Sequence, residues 1–189
     1  MTRLGVTPLP SAGKRQYPLA VSDPQPKPAT ESEVVLVRQM EIPDANLAGS
    51  VHGGTIMKMV DTAAGIAAAR HSGTLAVTAA MDEMVFLEPV KIGDVVTVKA
   101  MVNEAFTTSM EVGVRVEAEE FRTGKKVHTS SAYLVFVALD DDGKSHHVPP
   151  LLAENEEQRQ RQREAKLRRE ARLSRKRSIE EARRAKGEA

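Results

Sequence analysis

The 189-residue sequence predicts a two-layer α+β domain in which one long helix packs on one antiparallel sheet. Three observations carry this. Residues 53–71 form a nearly unbroken apolar helical run, and between Thr55 and Ala69 its only charges are Lys58 and Asp61. Four strand-like segments follow that helix with no second helix between them. In residues 109–121, Met110, Val112, Val114, Val116 and Ala118 alternate with Glu111, Gly113, Arg115, Glu117 and Glu119, the period of a strand with one face buried.

Residues 1–30 read as a disordered tail. Pro8, Pro10, Pro18, Pro24, Pro26 and Pro28 oppose regular pairing, and few large apolar groups offset the cost of ordering. A first strand is expected at 34–40, "VVLVRQM", then a loop, "EIPDANLAGSV". The helix at 53–71 is apolar nearly all round, which predicts burial nearly all round. Its Ala63, Ala64, Gly65, Ala67, Ala68 and Ala69 permit close approach of another backbone. Gly65 costs about 1 kcal/mol of helix propensity relative to Ala, so tight packing is expected there.

Strands are then expected at 75–86, 94–106, 109–121 and 127–140, with "RTGKK" as a turn in which Gly124 supplies positive φ. Strands that follow one another this closely pair antiparallel, giving a five- to six-stranded sheet curled around the helix. Residues 154–189 are dense in Glu, Gln, Arg and Ala and favour helix. Leu167, Leu173 and Ile179 are too sparse for a buried face and too irregular for a heptad seam. That segment reads as a solvated or fraying helix, leaving 31–153 as the folded domain.

Charge is uneven. Residues 1–30 carry net +3, residues 31–153 net −7 and residues 154–189 net +5. An acidic body with a basic tail excludes a nucleic-acid-binding core. There are no cysteines, which excludes disulfides, thiolate metal sites and a thiol nucleophile. No apolar run reaches membrane-span length, and the N-terminus lacks the apolar stretch of a secretory leader, so a cytoplasmic protein is expected.

The lone acid inside the helix has two readings. Asp61 sits on a wet stripe, paired with Lys58 or Arg70, or it lines a partly desolvated site where a carboxylate serves as general base. The "VHGG" start of the helix offers unpaired first-turn N–H groups and the positive end of the helix dipole to a developing negative charge. With Asn46 upstream these residues outline an acyl-transfer site. His52 reads as a loop or packing residue, His71 as a helix-terminal residue favoured by the dipole, and His128 as a strand residue. His146 and His147, near Asp140, Asp141 and Asp142, make a poor metal site, and no metal is expected. No nucleophile elbow, P-loop or dinucleotide-binding glycine motif occurs.

At these residues "DANLAGSVHGGTIMKMVDTAAGIAAARH" resembles the signature of hotdog-fold acyl-CoA thioesterases, closest to the cytosolic (brain-type) acyl-CoA hydrolases and their bacterial relatives. "VTAAMDEMVFLEPVKIGDVV", "TTSMEVGVRVEAE" and "VPPLLAENEEQRQRQREAK" extend the resemblance over about residues 33–165. It implies the hotdog fold and hydrolysis of acyl-CoA to fatty acid and CoA without a cofactor. It also implies homodimers, often as trimers of dimers, with sites in the interface. Asn46 and Asp61 match the family's catalytic pair, which comes from two different hotdog domains. Asp61 is then the general base or a direct nucleophile, Asn46 positions the water, and the N–H of Gly54, with Gly53, polarises the carbonyl. Thr107, Thr108 and Ser109 are the expected coenzyme A contacts, or an ordinary hairpin turn. His52, Gly53, Thr55 and Met84 complete the expected substrate contacts, with the acyl chain along Ile56, Met57, Val60 and Met84. An enoyl-thioester hydratase and a non-catalytic acyl-CoA-binding regulator are the alternatives on this fold. Neither nucleic acid nor membrane is expected as a partner.

Overall fold

The computed structural model describes residues 25–185. Its elements are β1 (Lys27–Pro28), β2 (Val34–Gln39), α1 (Gly53–Ser72), β3 (Leu75–Phe86), β4 (Val95–Ala105), β5 (Ser109–Glu119), β6 (Lys126–Leu139), β7 (Leu151–Leu152) and α2 (Glu156–Ala185). Five strands form an antiparallel sheet in the order β2-β4-β5-β6-β3, and β1 pairs with β7 as a separate parallel ribbon. α1 crosses one face of the sheet and α2 the other. This is the hotdog fold.

The core lies between α1 and the inner sheet face. Val60, Ala63, Ala64, Ala67 and Ala68 are fully buried against residues such as Val96, Val98, Val102, Met110, Val112, Val116 and Leu134. Small side chains on the helix let the sheet approach closely, so valines fill the space that larger helix residues would have occupied. The alternation in β5 holds: Met110, Val112, Val114, Val116 and Ala118 all point into this core. α1 ends at Gly73, whose φ of +73° lets its N–H close on the Ala69 carbonyl at 2.9 Å.

Five expectations need correction. Residues 1–24 of the expected tail lie outside the described residues, but residues 25–30 are ordered: Lys27 Nζ donates to the His71 carbonyl at 2.9 Å and Ala29 is buried. α1 is not buried all round, because Met57, Lys58, Asp61, Thr62, Ile66 and Arg70 form an exposed stripe. At Gly65 a Cβ would stand 3.5 Å from the Phe136 ring, an ordinary contact, so tight packing does not demand glycine there. His71 is no dipole-favoured cation. It is fully buried, donates Nε2–H to the Pro149 carbonyl at 2.9 Å, and is pushed below its usual pKa by burial, with Lys27 adding to the effect.

The last correction concerns α2, whose first half is docked on the outer sheet face by charge rather than by an apolar stripe. Arg168 makes a bidentate pair with the buried Glu111 and stacks on Tyr133 at 3.7 Å. Lys166 reaches Glu104 at 3.1 Å, and Arg172 pairs with Asp82. Burial opposes the Arg168 charge, but the Glu111 carboxylate outweighs it, so the guanidinium holds its proton more firmly than usual. Asn103 donates to Glu111 from the other side at 3.1 Å. A single buried sheet face therefore describes β5 only where α2 is absent.

Candidate active site

The loop before α1 is built on Asn46. Its Oδ1 accepts the N–H groups of Ala48 (2.9 Å) and Ser50 (3.2 Å), and its Nδ2 donates to Ser50 Oγ (2.9 Å). Arg38 braces the same loop through Asp44, whose carboxylate also receives the Glu41 N–H. A pinned loop delivers a fixed helix start, with bridges from Ala45 to Val51 and from Ser50 to Lys91.

His52 is the N-cap of α1, and its Nδ1 accepts the Gly54 N–H at 2.9 Å. One of the two donors expected to face a carbonyl is thus already held by an exposed imidazole. Gly53 N–H, at the first helical position, has no hydrogen-bond partner among the described residues. The Phe86 ring stands over Gly53, 3.5 Å from where a Cβ would sit. Thr55 closes the first turn by donating its N–H to the His52 carbonyl at 2.8 Å.

Asp61 pairs with neither Lys58 nor Arg70. Its Oδ1 accepts the Thr78 hydroxyl from β3 at 2.6 Å, a short charge-assisted bond that sets the carboxylate's orientation. Both side chains are exposed, on the stripe where α1 meets the edge strand β3. The structure does not bring Asp61 to the helix start of its own chain. Seven residues separate it from Gly54, about 10 Å along the axis.

Thr107 and Thr108, with Phe106, form the turn between β4 and β5, and Ser109 opens β5. The Thr107 and Thr108 carbonyls accept the N–H groups of Val148 and Ala138, both at 3.0 Å. The Arg169 guanidinium of α2 lies 4.5 Å over the ring of the adjoining Phe106. Met84 is half-buried on β3 against the core. Ile56 and Val60, expected along an acyl groove, are sealed in the core; Met57 is exposed. His128 is a strand residue bonded to Ser130 and Ser131. Asp140 uses its carboxylate on the N–H groups of Asp142 and Lys144. Among the described residues no three His, Cys, Asp or Glu side chains gather as metal ligands, and no helix is long and apolar enough to cross a membrane.

Sequence reasoning missed Thr78, Phe86 and Arg169. Thr78 is a lone hydroxyl in the apolar run "LAVTAA", a signal visible only once β3 is known to run beside Asp61.

The class is set by the fold, one long helix laid across a five-stranded antiparallel sheet. The chain belongs to the thioesterase superfamily, whose profile matches residues 48–125. It is 35 % identical over 148 residues to the human cytosolic acyl coenzyme A thioester hydrolase, matching 77 % of this chain and 39 % of that protein. The chain thus spans about two fifths of the length of the mammalian relatives it matches. It superposes on an acyl-CoA hydrolase of Staphylococcus aureus, solved with coenzyme A, with TM-score 0.81 and 35 % identity, over 88 % of this chain and all of that one. The S. aureus enzyme has been solved with an Asn, an Asp and a Thr each changed to Ala. Those three are spaced 15 and 17 residues apart, as are Asn46, Asp61 and Thr78 here. A hexameric acyl-CoA thioesterase solved without ligand superposes with TM-score 0.78 at 32 % identity, over 80 % of this chain and 97 % of that one.

Proposed function

We propose that this protein is an acyl-CoA thioesterase that hydrolyses acyl-CoA to a free fatty acid and coenzyme A at sites shared between two copies of the chain. The observation that carries the proposal is Asp61, a helix carboxylate held by Thr78 at an exposed edge and matched in spacing to the Asn, Asp and Thr altered in the S. aureus hydrolase.

Asp61 takes a proton from water as that water attacks the thioester carbonyl, and Asn46 orients the water. The carbonyl oxygen becomes an oxyanion and is met by the N–H groups of Gly53 and Gly54 at the positive end of α1. Collapse of the tetrahedral intermediate expels the CoA sulfur, which leaves as the thiol with the proton that Asp61 gathered. Gly54 N–H serves only when the His52 imidazole shares or yields it. Water, one base and backbone donors suffice for this reaction, and no step of it calls on a metal or cofactor.

The 10 Å between Asp61 and Gly54 on one helix exceeds the span from an attacking water to the oxygen it charges, so a second chain supplies the other half. β3 supports this as the joining edge. It is a 12-residue edge strand, paired with β6 on one side and open on the other among the described residues, and it exposes Leu75, Val77, Val85 and Phe86, with Leu87 just beyond and Met57 and Ile66 of α1 alongside. Long apolar edges of this kind pair with another strand. A homodimer closed at β3, assembled further as a trimer of dimers, fits this edge and agrees with the hexameric relative. Thr107, Thr108 and Ser109, with Arg169 beside them, suit the phosphates of coenzyme A. The acyl chain lies at the edge by Met57 and Met84. The cytosolic relatives support a cytoplasmic location.

The test is release of CoA thiol from saturated acyl-CoAs of two to 18 carbons by wild type and Asp61→Asn. Turnover that falls by roughly 10²–10⁴ in the variant supports the proposal. No turnover by wild type on any member refutes it.

A further inference from the structure

α2 is longer than the sheet it crosses. Its contacts step across the outer face in strand order: Lys166 to Glu104 on β4, Arg168 to Glu111 on β5 and Tyr133 on β6, then Arg172 to Asp82 on β3. β3 is the edge, yet the helix runs on to Ala185. Residues 173–185 are all exposed and extend about 20 Å, the width of roughly four strands. The stripe that faces the sheet, Ala165, Arg168 and Arg172, continues at helical spacing as Lys176, Ile179 and Arg183. It therefore presents two cations and one apolar side chain toward the space beyond the edge.

We infer that this overhang is an interaction surface for a second copy of the chain: residues 173–185 cross the β3 seam and dock on the outer face of the partner sheet. The inference rests on the proposed dimer closed at β3. Charge favours this occupant. The overhang carries Arg175, Lys176, Arg177, Arg183 and Arg184 against Glu180 and Glu181, whereas residues 31–153 carry net −7. Each copy brings acids to the seam on the side where α2 lies, since Asp82 and the exposed Glu83 line a groove with Arg172 and Arg175. The mode of docking is already visible within one chain, where Lys166, Arg168 and Arg172 of α2, two and four residues apart, meet acids of the sheet with little apolar burial. The overhang repeats that pattern one sheet further on, and each dimer would be strapped twice.

Sedimentation velocity of full-length wild type, K176E/R183E and R177E/R184E, at 0.05 M and 0.5 M salt, tests this. R177E/R184E changes charge equally but lies about 100° around the helix from the stripe. K176E/R183E should weaken dimerisation at least tenfold at low salt, R177E/R184E should change it by less than threefold, and the difference should shrink at 0.5 M salt. A wild-type dimer that K176E/R183E leaves unchanged, or that both variants weaken equally, overturns the strap while sparing the dimer. A wild type that stays monomeric at all concentrations overturns the dimer and the strap together.

Discussion

Removing the Thr78 hydroxyl while keeping its shape isolates what holds the base. Thr78→Val is nearly isosteric, so β3 and its pairing with β6 stay intact. What is lost is the 2.6 Å bond to Asp61 Oδ1. A hydrogen bond to a charged group contributes about 1.5–3 kcal/mol net, equivalent to roughly 13- to 160-fold at 1.36 kcal/mol per tenfold. The lower figure applies to an exposed pair, as in the single chain, and the higher to one desolvated by a second copy and substrate. kcat should therefore fall between roughly 13- and 160-fold, with KM nearly unchanged, because orientation of the base matters in the transition state rather than in binding. Unfolding free energy should fall by no more than about 1.5 kcal/mol, the figure for an exposed pair, since neither side chain is buried. Thr78→Ser restores the hydroxyl and should recover most of kcat. The assay is steady-state CoA release beside urea unfolding. A Val variant with wild-type kcat, or a Ser variant as poor as Val, would refute the positioning role.

Three further outcomes are expected. Asn46→Ala should lose roughly 10²–10³ in kcat and also about 1–2 kcal/mol of stability, because Asn46 accepts the N–H groups of Ala48 and Ser50 and is the residue proposed to orient the water; urea midpoints read alongside rates separate the two effects. Arg168→Met strands the buried Glu111, a change worth about 3–5 kcal/mol if α2 stays docked, so α2 should lift and hydrogen exchange should rise across 156–172 while the sheet stays protected; unchanged exchange there would contradict the ionic docking. Folded His71 holds its proton less tightly than the unfolded chain. The stability tied to its neutral form is complete above about pH 6.5 and is lost as the pH falls below that value; His71→Gln should flatten the pH dependence of the urea midpoint between pH 5 and 7.

The layered fold was legible because its signals are local. Apolar period two marked β5, and a run of small and apolar residues with two charges marked α1. The docking of α2 was hidden because no hydrophobic stripe announces it. Its partners are single acids on three different strands, and Glu111 reads as a solvent-facing residue until Arg168 covers it. Asp61 stood out as an isolated acid, but its partner lay 17 residues away on a strand whose register only the folded chain shows. The use of the Gly54 N–H by His52 was likewise out of reach, since it depends on which ring nitrogen faces the helix start. The sequence places Asn46 in the loop before the helix, and its work in holding that loop emerges only from its hydrogen bonds.

The central claim is that each site draws Asp61 from one chain and Asn46 with the glycine helix start from another. Complementation tests it most directly. Asp61→Asn and Asn46→Ala chains should each be nearly inactive alone, and are co-expressed with different tags and purified as the mixed species. A mixed dimer has one site with both changes and one with neither, so the doubly tagged dimer should recover about half of wild-type activity per dimer. Activity no higher than the sum of the two inactive parents would place both residues in a site made by a single chain and contradict the account.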